Sequence, residues 1–409
     1  MKRARLLIVL AIALAIVIVV AREPLFWKRY ALTTIDRAPH LRNSFYEPSE
    51  LVAGTDEGEP PRVQPELEHL DAGALRAAAD YAAARHSDAL IIGRHGHIVF
   101  EQYWDGGRFD AMSDADAFTP TIGALMVGLA MRDRKIGVLS EPVANYIDVL
   151  RGTPREAISI VDLLYSASGL ASAEPGSNLW APVQRELYGT HLLSSCLSRD
   201  VAAGAGRRWV QQPCDSLLLA RLIELATHER YAEYISQRLW KPIGAADAWL
   251  TREDEAGAAW AHCCLRARRG DWMRIGELLV SDGHFQGEEI LTPGWVREML
   301  AASQVNPNFG YQVWRGLPFK GSTAPGSASE AYATDDTYLL KGAGKSRLWF
   351  VPSLSLTILR MGANAEDDAD WDDSRIPNLV IRGASDFVPP ATPVNKGGAE
   401  EVRSLVPNH

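Results

Sequence analysis

Residues 117–132 read Ala-Phe-Thr-Pro-Thr-Ile-Gly-Ala-Leu-Met-Val-Gly-Leu-Ala-Met-Arg. From Thr121 to Met131 apolar residues and glycines occupy every helical face, so the spacing predicts a buried helix closed by Lys135-Ile136-Gly137. A helix without a polar stripe has to be surrounded, and the rest of the chain is arranged around this one. On its N-terminal side, Leu70 to Arg85 carries apolar residues and alanines at helical spacing. Two short apolar runs follow, Asp88 to Gly93 and His97 to Tyr103, separated by Arg94-His95-Gly96, which is the pattern of a β-hairpin.

On the C-terminal side, Ile160 to Tyr165, Ser216 to Ala226, Tyr231 to Leu239 and Asp271 to Ser281 keep helical periodicity, with turns of Gly, Pro and Ser between them. From Tyr332 onward the pattern returns to strands: Thr337 to Leu340, Arg347 to Val351 and Leu354 to Met361, with Pro352-Ser353 as a turn and a terminal helix around Asp372 to Gly383. Strands from both ends must therefore share one sheet. The expected fold class is α/β (α+β), an antiparallel sheet flanked by helices with an inserted, mainly helical lobe at about 135–265 of a domain spanning 66–388. Residues 389–409 read as a flexible tail, and there is no internal repeat.

With 409 residues, 47% of them hydrophobic and 23% charged, the chain is long enough for a large core and has an ordinary globular composition. A net charge of −9 and the lack of any basic stripe argue against nucleic acid, since the cluster Arg266, Arg268 and Arg269 is short and interrupted. Leu6 to Ala21 is an uncharged aliphatic run preceded by Lys2, Arg3 and Arg5. It reads as a signal anchor or signal peptide at 1–21, with the domain on the periplasmic, extracytoplasmic side of the cell membrane. No polar cleavage region ends the run, which favours a retained single-pass transmembrane helix, although Val19 and Ala21 are small enough for cleavage. Residues 22–65, rich in Pro, Glu and Gly, read as a linker or arm between membrane and domain.

Among the four cysteines, Cys196 and Cys214 are suited to a short-range bridge in an oxidising compartment. His262 precedes the pair Cys263-Cys264, but adjacent cysteines lack the spacing that lets two ligands meet one ion, so no metal site is expected. The acidic run Glu366 to Asp373 lacks the alternating ligands and turn glycine of a calcium loop, and suits the start of a helix.

Several phrases stand in this order: Asp88-Ala-Leu-Ile-Ile, Ile98-Val-Phe-Glu-Gln-Tyr-Trp-Asp-Gly, Leu125-Met-Val-Gly-Leu-Ala, Ile158-Ser-Ile-Val-Asp-Leu-Leu-Tyr-Ser-Ala-Ser-Gly-Leu and Pro242-Ile-Gly. After them come Asp271-Trp-Met-Arg-Ile-Gly-Glu-Leu-Leu, Gly283-His-Phe-Gln-Gly-Glu-Glu-Ile-Leu-Thr-Pro-Gly-Trp-Val, Phe309-Gly-Tyr-Gln-Val-Trp and Leu348-Trp-Phe-Val-Pro-Ser. Over about residues 85–362 the chain resembles the serine β-lactamase and penicillin-binding-protein superfamily. The resemblance is to the branch of class C β-lactamases, D-alanyl-D-alanine carboxypeptidases, esterases and 6-aminohexanoate-dimer hydrolases. It implies a β-lactamase/transpeptidase-like fold and no cofactor.

In that family a Ser-x-x-Lys motif opens the core helix, the spacing placing both side chains on one face so that the amine reaches the hydroxyl. Here the two positions fall on Ala117 and Pro120, and no Ser-x-x-Lys occurs anywhere in the sequence. The family tyrosine that shuttles protons falls on Gln211, within Ala205-Gly206-Arg-Arg-Trp209-Val-Gln211-Gln212-Pro213-Cys-Asp215, and an amide exchanges no proton at a useful pKa. Asp215 matches an acidic position in some relatives and is read as a helix N-cap. Nearby hydroxyls at Ser113, Thr119 and Thr121, and the carboxylates of Asp114 and Asp116, are the alternative nucleophile and bases, though such residues before a helix also serve as caps. The third motif lies at Leu340-Lys341-Gly342-Ala343-Gly344, where the resemblance implies a groove edge at which Lys341 meets a carboxylate and Gly342 and Gly344 admit a substrate backbone.

No catalytic residue of the usual kind is therefore expected, and the candidate groove residues are Lys341, Gly342, Gly344, Thr119, Thr121 and Asp215. The expected function is a degenerate serine hydrolase relative that binds a peptide, a cell-wall fragment or an envelope protein. The alternative is an active amidase, esterase or β-lactamase using a non-standard nucleophile.

Overall fold

The alternating runs at the two ends of the chain do meet in one sheet. A computed structural model describes residues 17–35, 45–114, 118–173, 182–316, 328–363 and 370–389, with positions 5, 10 and 14. Ala117, Asp116, most of the Leu6 to Ala21 run, the start of the acidic run at Glu366 and residues 390–409 lie outside the described residues.

Helix α1 (Pro24–Ile35) and strand β1 (Ser49–Val52) precede helix α2 (Ala72–Ala83) and the hairpin β2 (Ser87–Arg94) and β3 (His97–Tyr103). Strand β4 (Met112–Asp114) leads into the core helix α3 (Thr119–Arg132). The helical lobe holds α4 (Ile160–Leu164), α5 (Pro182–Tyr188), α6 (Leu192–Ser198), α7 (Pro213–Thr227) and α8 (Tyr231–Ile235), and closes with β5 (Ala248–Thr251) and β6 (Leu265–Arg268). Then come α9 (Arg269–Val280), the small hairpin β7 (His284–Phe285) and β8 (Glu288–Glu289), and α10 (Trp295–Met299). Strands β9 (Trp314–Arg315), β10 (Tyr338–Lys341), β11 (Arg347–Val351) and β12 (Leu356–Gly362) and helix α11 (Arg375–Arg382) complete the order.

The main sheet is antiparallel in the order β3-β2-β12-β11-β10-β9, so the N-terminal hairpin adds to the C-terminal strands through β2 and β12. Both faces are covered, because side chains alternate across a strand. Leu90, Ile92, Trp349 and Ile358 face α2 and α11. Ile91, Leu348, Phe350 and Leu359 face the opposite core, built from α3, α7, α8 and α9. Every residue of α3 from Thr119 to Ala130 is buried, as its unbroken apolar surface requires.

Residues 45–63 depart from the reading as a linker. Strand β1 joins a second sheet, β1-β5-β6-β4, and Glu50 pairs with Arg230 at 2.8 Å. Earlier in the arm, α1 buries Phe26 and Arg29, whose guanidinium donates to the carbonyls of Arg252 at 2.8 Å and Gly189 at 3.1 Å and lies 4.2 Å from the Trp260 ring centre. Apolar and charged anchors scattered through a Pro-rich stretch have no periodicity, and only their partners elsewhere in the chain reveal them. Among the described residues no helix is long and apolar enough to cross a membrane. Cys196 and Cys214 form a disulfide joining α6 to α7, and Cys263 and Cys264 form a second one between neighbours.

Gly128 sets the position of α3. A Cβ there would lie 2.3 Å from the Trp295 indole nitrogen and 2.5 Å from the adjoining ring carbon, so the α10 tryptophan packs directly on the helix backbone. Gly128→Ala is expected to cost about 1–3 kcal/mol through overpacking, read as a lower urea midpoint with unchanged m-value. An unchanged midpoint would mean that Trp295 moves aside freely.

Candidate functional site

Pro120, Gln211 and Lys341 lie on three separate segments of the chain, and hydrogen bonds and ring contacts connect those segments. Helix α3 starts at Thr119 after Phe118, with Pro120 in its first turn and no side-chain cap. Pro is at home there because its missing N–H would have had no intrahelical partner. Pro120 is buried. It offers no proton to move.

The two threonines flanking Pro120 are also buried, at 1% and 0% exposure. Thr119 Oγ1 accepts the Leu265 N–H at 3.2 Å, and Thr121 Oγ1 donates to the Gln312 carbonyl at 2.7 Å. These hydroxyls fasten α3 to β6 and to the loop before β9, which leaves them no path to a bound molecule. Ser113, on β4, donates to the Ala267 carbonyl at 3.4 Å.

Gln312 is the hub of this region. Its side-chain amide donates to the carbonyls of Leu163 at 3.0 Å and Leu164 at 3.2 Å and to Ser166 Oγ at 3.1 Å. Gln312 and Ser166 both adopt positive φ, 56° and 53°, a strained choice for residues with a Cβ that the surrounding bonds hold in place. The Ser166 carbonyl accepts the Val210 N–H at 2.8 Å, which brings in the segment carrying Gln211. Beside Val210, Trp209 packs edge-on against Phe309 and Trp314, with both centroid separations at 5.5 Å. Lys341 Nζ lies 4.3 Å from the Trp314 ring centre, a cation–π contact that ties β10 to the same cluster.

Lys341 is half-buried, and burial lowers its pKa to about 8, with Asp373 opposing the shift. Gly342 donates its N–H to the Ser346 carbonyl at 2.9 Å, and its own carbonyl accepts from Arg347 at 3.3 Å. Gly344 has φ 63° and a Cβ there would come 2.1 Å from the Gly362 carbonyl oxygen, so it serves the packing of its own turn. Gln211 is exposed.

Asp215 is not the N-cap of α7. That place belongs to Gln212, and Asp215 sits in the first turn, fully buried. Its Oδ1 accepts from Ser168 Oγ at 2.6 Å and from Gln212 Nε2 at 3.4 Å. Burial raises its pKa to about 7, against the pull of the Ser168 hydrogen bond. A hydroxyl beside a carboxylate is the arrangement an activated nucleophile needs, yet Ser168 is 1% exposed and the carboxylate is held inside the protein.

Two tyrosines next to this hub match no motif of the resemblance. Tyr165 and Tyr311 pack with ring centroids 4.7 Å apart, beside Ser166 and Gln312 in the chain, and burial raises both phenols above the ordinary range. Both lie in phrases read as scaffold, Leu-Leu-Tyr-Ser-Ala-Ser-Gly-Leu and Phe-Gly-Tyr-Gln-Val-Trp, and only their convergence marks them. Among the described residues no group of three or more His, Cys, Asp or Glu could hold a metal ion.

Comparison with known proteins agrees with this architecture. A 6-aminohexanoate-dimer hydrolase from Paenarthrobacter ureafaciens is 24% identical over 298 residues, covering 66% of this chain and 72% of that protein. Among solved structures, a protein assigned as a 6-aminohexanoate-dimer hydrolase from Bacillus anthracis superposes with a TM-score of 0.66 at 16% identity, over 85% of this chain and 92% of its own. A penicillin-binding-protein homologue from Caulobacter crescentus gives 0.57 at 12% identity, over 77% and 98%. The family model described as Beta-lactamase matches residues 74–285. That match spans just over half of the chain, from α2 through α3 and the helical lobe to β7, and the chain accordingly belongs to the beta-lactamase family.

Proposed function

We propose that this chain is a non-catalytic member of its family: an exported, membrane-tethered domain that keeps the groove scaffold and binds a peptide, a cell-wall fragment or an envelope protein. The observation that carries the proposal is the chemistry at the motif positions, where Ala117, Pro120 and Gln211 replace the serine, lysine and tyrosine of the resemblance. An acyl-enzyme needs an attacking atom and a group to take its proton. Backbone donors alone give only residual rate enhancement. The substitute hydroxyls support the same reading, since Thr119 and Thr121 are buried and engaged in fastening α3. Tethering and placement outside the cytoplasm rest on the Leu6 to Ala21 run and the basic residues before it.

The rival reading, an active hydrolase with a non-standard nucleophile, draws its best support from the Ser168–Asp215 pair. In the proposed reading that pair is scaffold, clamping the turn after α4 to the first turn of α7, and its burial keeps substrate away.

Purified full-length protein is expected to take no covalent label from a fluorophosphonate or a fluorescent penicillin. Labelling that disappears with Ser168→Ala, Thr119→Val or Ser113→Ala would sink the proposal. The triple variant Ala117→Ser, Pro120→Lys, Gln211→Tyr is expected to gain slow labelling by the penicillin probe.

The scaffold role of Asp215 also sets a pH dependence. With a folded pKa raised to about 7 by burial, against about 4 when unfolded, the native state retains a proton that the unfolded chain gives up between those values. Stability from this group is complete below about pH 4 and is lost as pH rises towards 7. Asp215→Asn should flatten that decline and be more stable than the parent at pH 8 in urea titrations. A variant as pH-sensitive as the parent would remove Asp215 as the source.

A further inference from the structure

A hollow of about 410 Å³ lies between the β2–β3 turn, α9 and the β7–β8 hairpin. None of its lining residues belongs to the motif positions of the groove. Room for it comes from Gly93 on β2, which stands opposite Thr357 on β12 and faces α9; a Cβ at 93 would come 2.9 Å from Met273 Cε. Ile98, Met273 and Phe285 give the hollow apolar walls.

Four of its polar side chains, His95, His97, His284 and Glu277, can present acceptor atoms. His95 and His97 each place Nδ1 2.7 Å from a carboxylate oxygen of Glu68, which does not line the hollow. Burial of Glu68 is outweighed by these two contacts, and its pKa is lowered. A carboxylate only accepts, so Nδ1 carries the proton in each neutral imidazole and Nε2 is left with its lone pair. His284 follows the same rule, with Nδ1 at 3.2 Å from the Ser281 carbonyl. From α9, Glu277 adds a half-buried carboxylate that accepts from Ser281 Oγ at 3.2 Å.

The lining cation, Arg274, is committed elsewhere, donating to the carbonyls of Ile243 and Gly58. Thr357, 1% exposed and also lining the hollow, has a buried Oγ1 with no hydrogen-bond partner in the protein. A buried hydroxyl left without a partner is uncommon and costly, and points to a missing group. Imidazoles with carboxylate-held Nδ1 are also how metals are bound, but among the described residues no three such side chains are placed to share an ion.

We propose that this hollow is a second ligand site that takes a small primary amine with a short apolar chain. The ammonium brings three donors to Glu277 and the imidazoles, and the chain lies against Met273 and Phe285. Calorimetric titration of the full-length protein with n-hexylamine at pH 8 tests this, with 1-hexanol and hexanoate as controls. Saturable binding of n-hexylamine is expected, with both controls about tenfold or more weaker. Glu277→Gln is expected to weaken n-hexylamine by about tenfold or more, the loss of one charge-assisted hydrogen bond. Thr357→Val, a change of similar size at the unpartnered hydroxyl, is expected to weaken it by a smaller factor and to fold normally. The proposal is overturned if n-hexylamine does not saturate, if hexanoate binds as well, or if both variants bind n-hexylamine like the parent. Should Glu277→Gln fail to fold, Thr357→Val decides alone.

Discussion

The absence of a side chain at Gly128 allows the Trp295 indole to rest on the backbone of the core helix, and the arrangement of the molecule follows from that contact. A helix that is apolar all round has no preferred face, so hydrophobicity alone leaves its rotation open. One close approach, possible only where no Cβ intervenes, removes that freedom. With α3 locked, its first turn projects Thr119, Pro120 and Thr121 into fixed surroundings. Pro120 then stands in a buried place where no proton can be taken or given.

Around that turn, the protein uses hydrogen bonds for construction. Gln312 uses its amide on two carbonyls and a hydroxyl, Thr121 holds the Gln312 carbonyl, and Ser166 passes the connection to Val210. Trp314 then links that segment, through Trp209, to Lys341 on the sheet. A buried polar network of this kind stabilises only when its members are satisfied, and it gives the region a single geometry. The start of α3, the segment at Val210 and Lys341 are thus held in one frame.

The second hollow follows a different rule. The hollow beside α9 gathers histidines, a carboxylate and the unpartnered Thr357 hydroxyl against apolar walls. One of its histidines, His95, comes from a two-residue turn, His95-Gly96, in which both residues adopt positive φ and Gly96 does so without strain. Turn residues of this sort read from sequence as punctuation. Their role as a wall depends on Glu68 and His284 arriving from distant parts of the chain.

By itself the sequence determined the sheet, the buried helix and the residues that stand at the positions of the resembled motifs. Each of these is written in local periodicity or in the identity of a single residue: Ile91 and Leu359 fall on one sheet face by alternation, and Pro120 and Gln211 lack a titratable group wherever they lie. Only the tertiary structure decided that residues 45–63 pack as part of the domain, that Asp215 bonds Ser168 rather than capping a helix, that Gln312 meets the start of α3, and that Tyr165 and Tyr311 pack together. The physical reason is separation along the chain: Thr121 and Gln312, or Ser168 and Asp215, become partners through packing of whole elements, and neither spacing nor composition encodes that pairing locally.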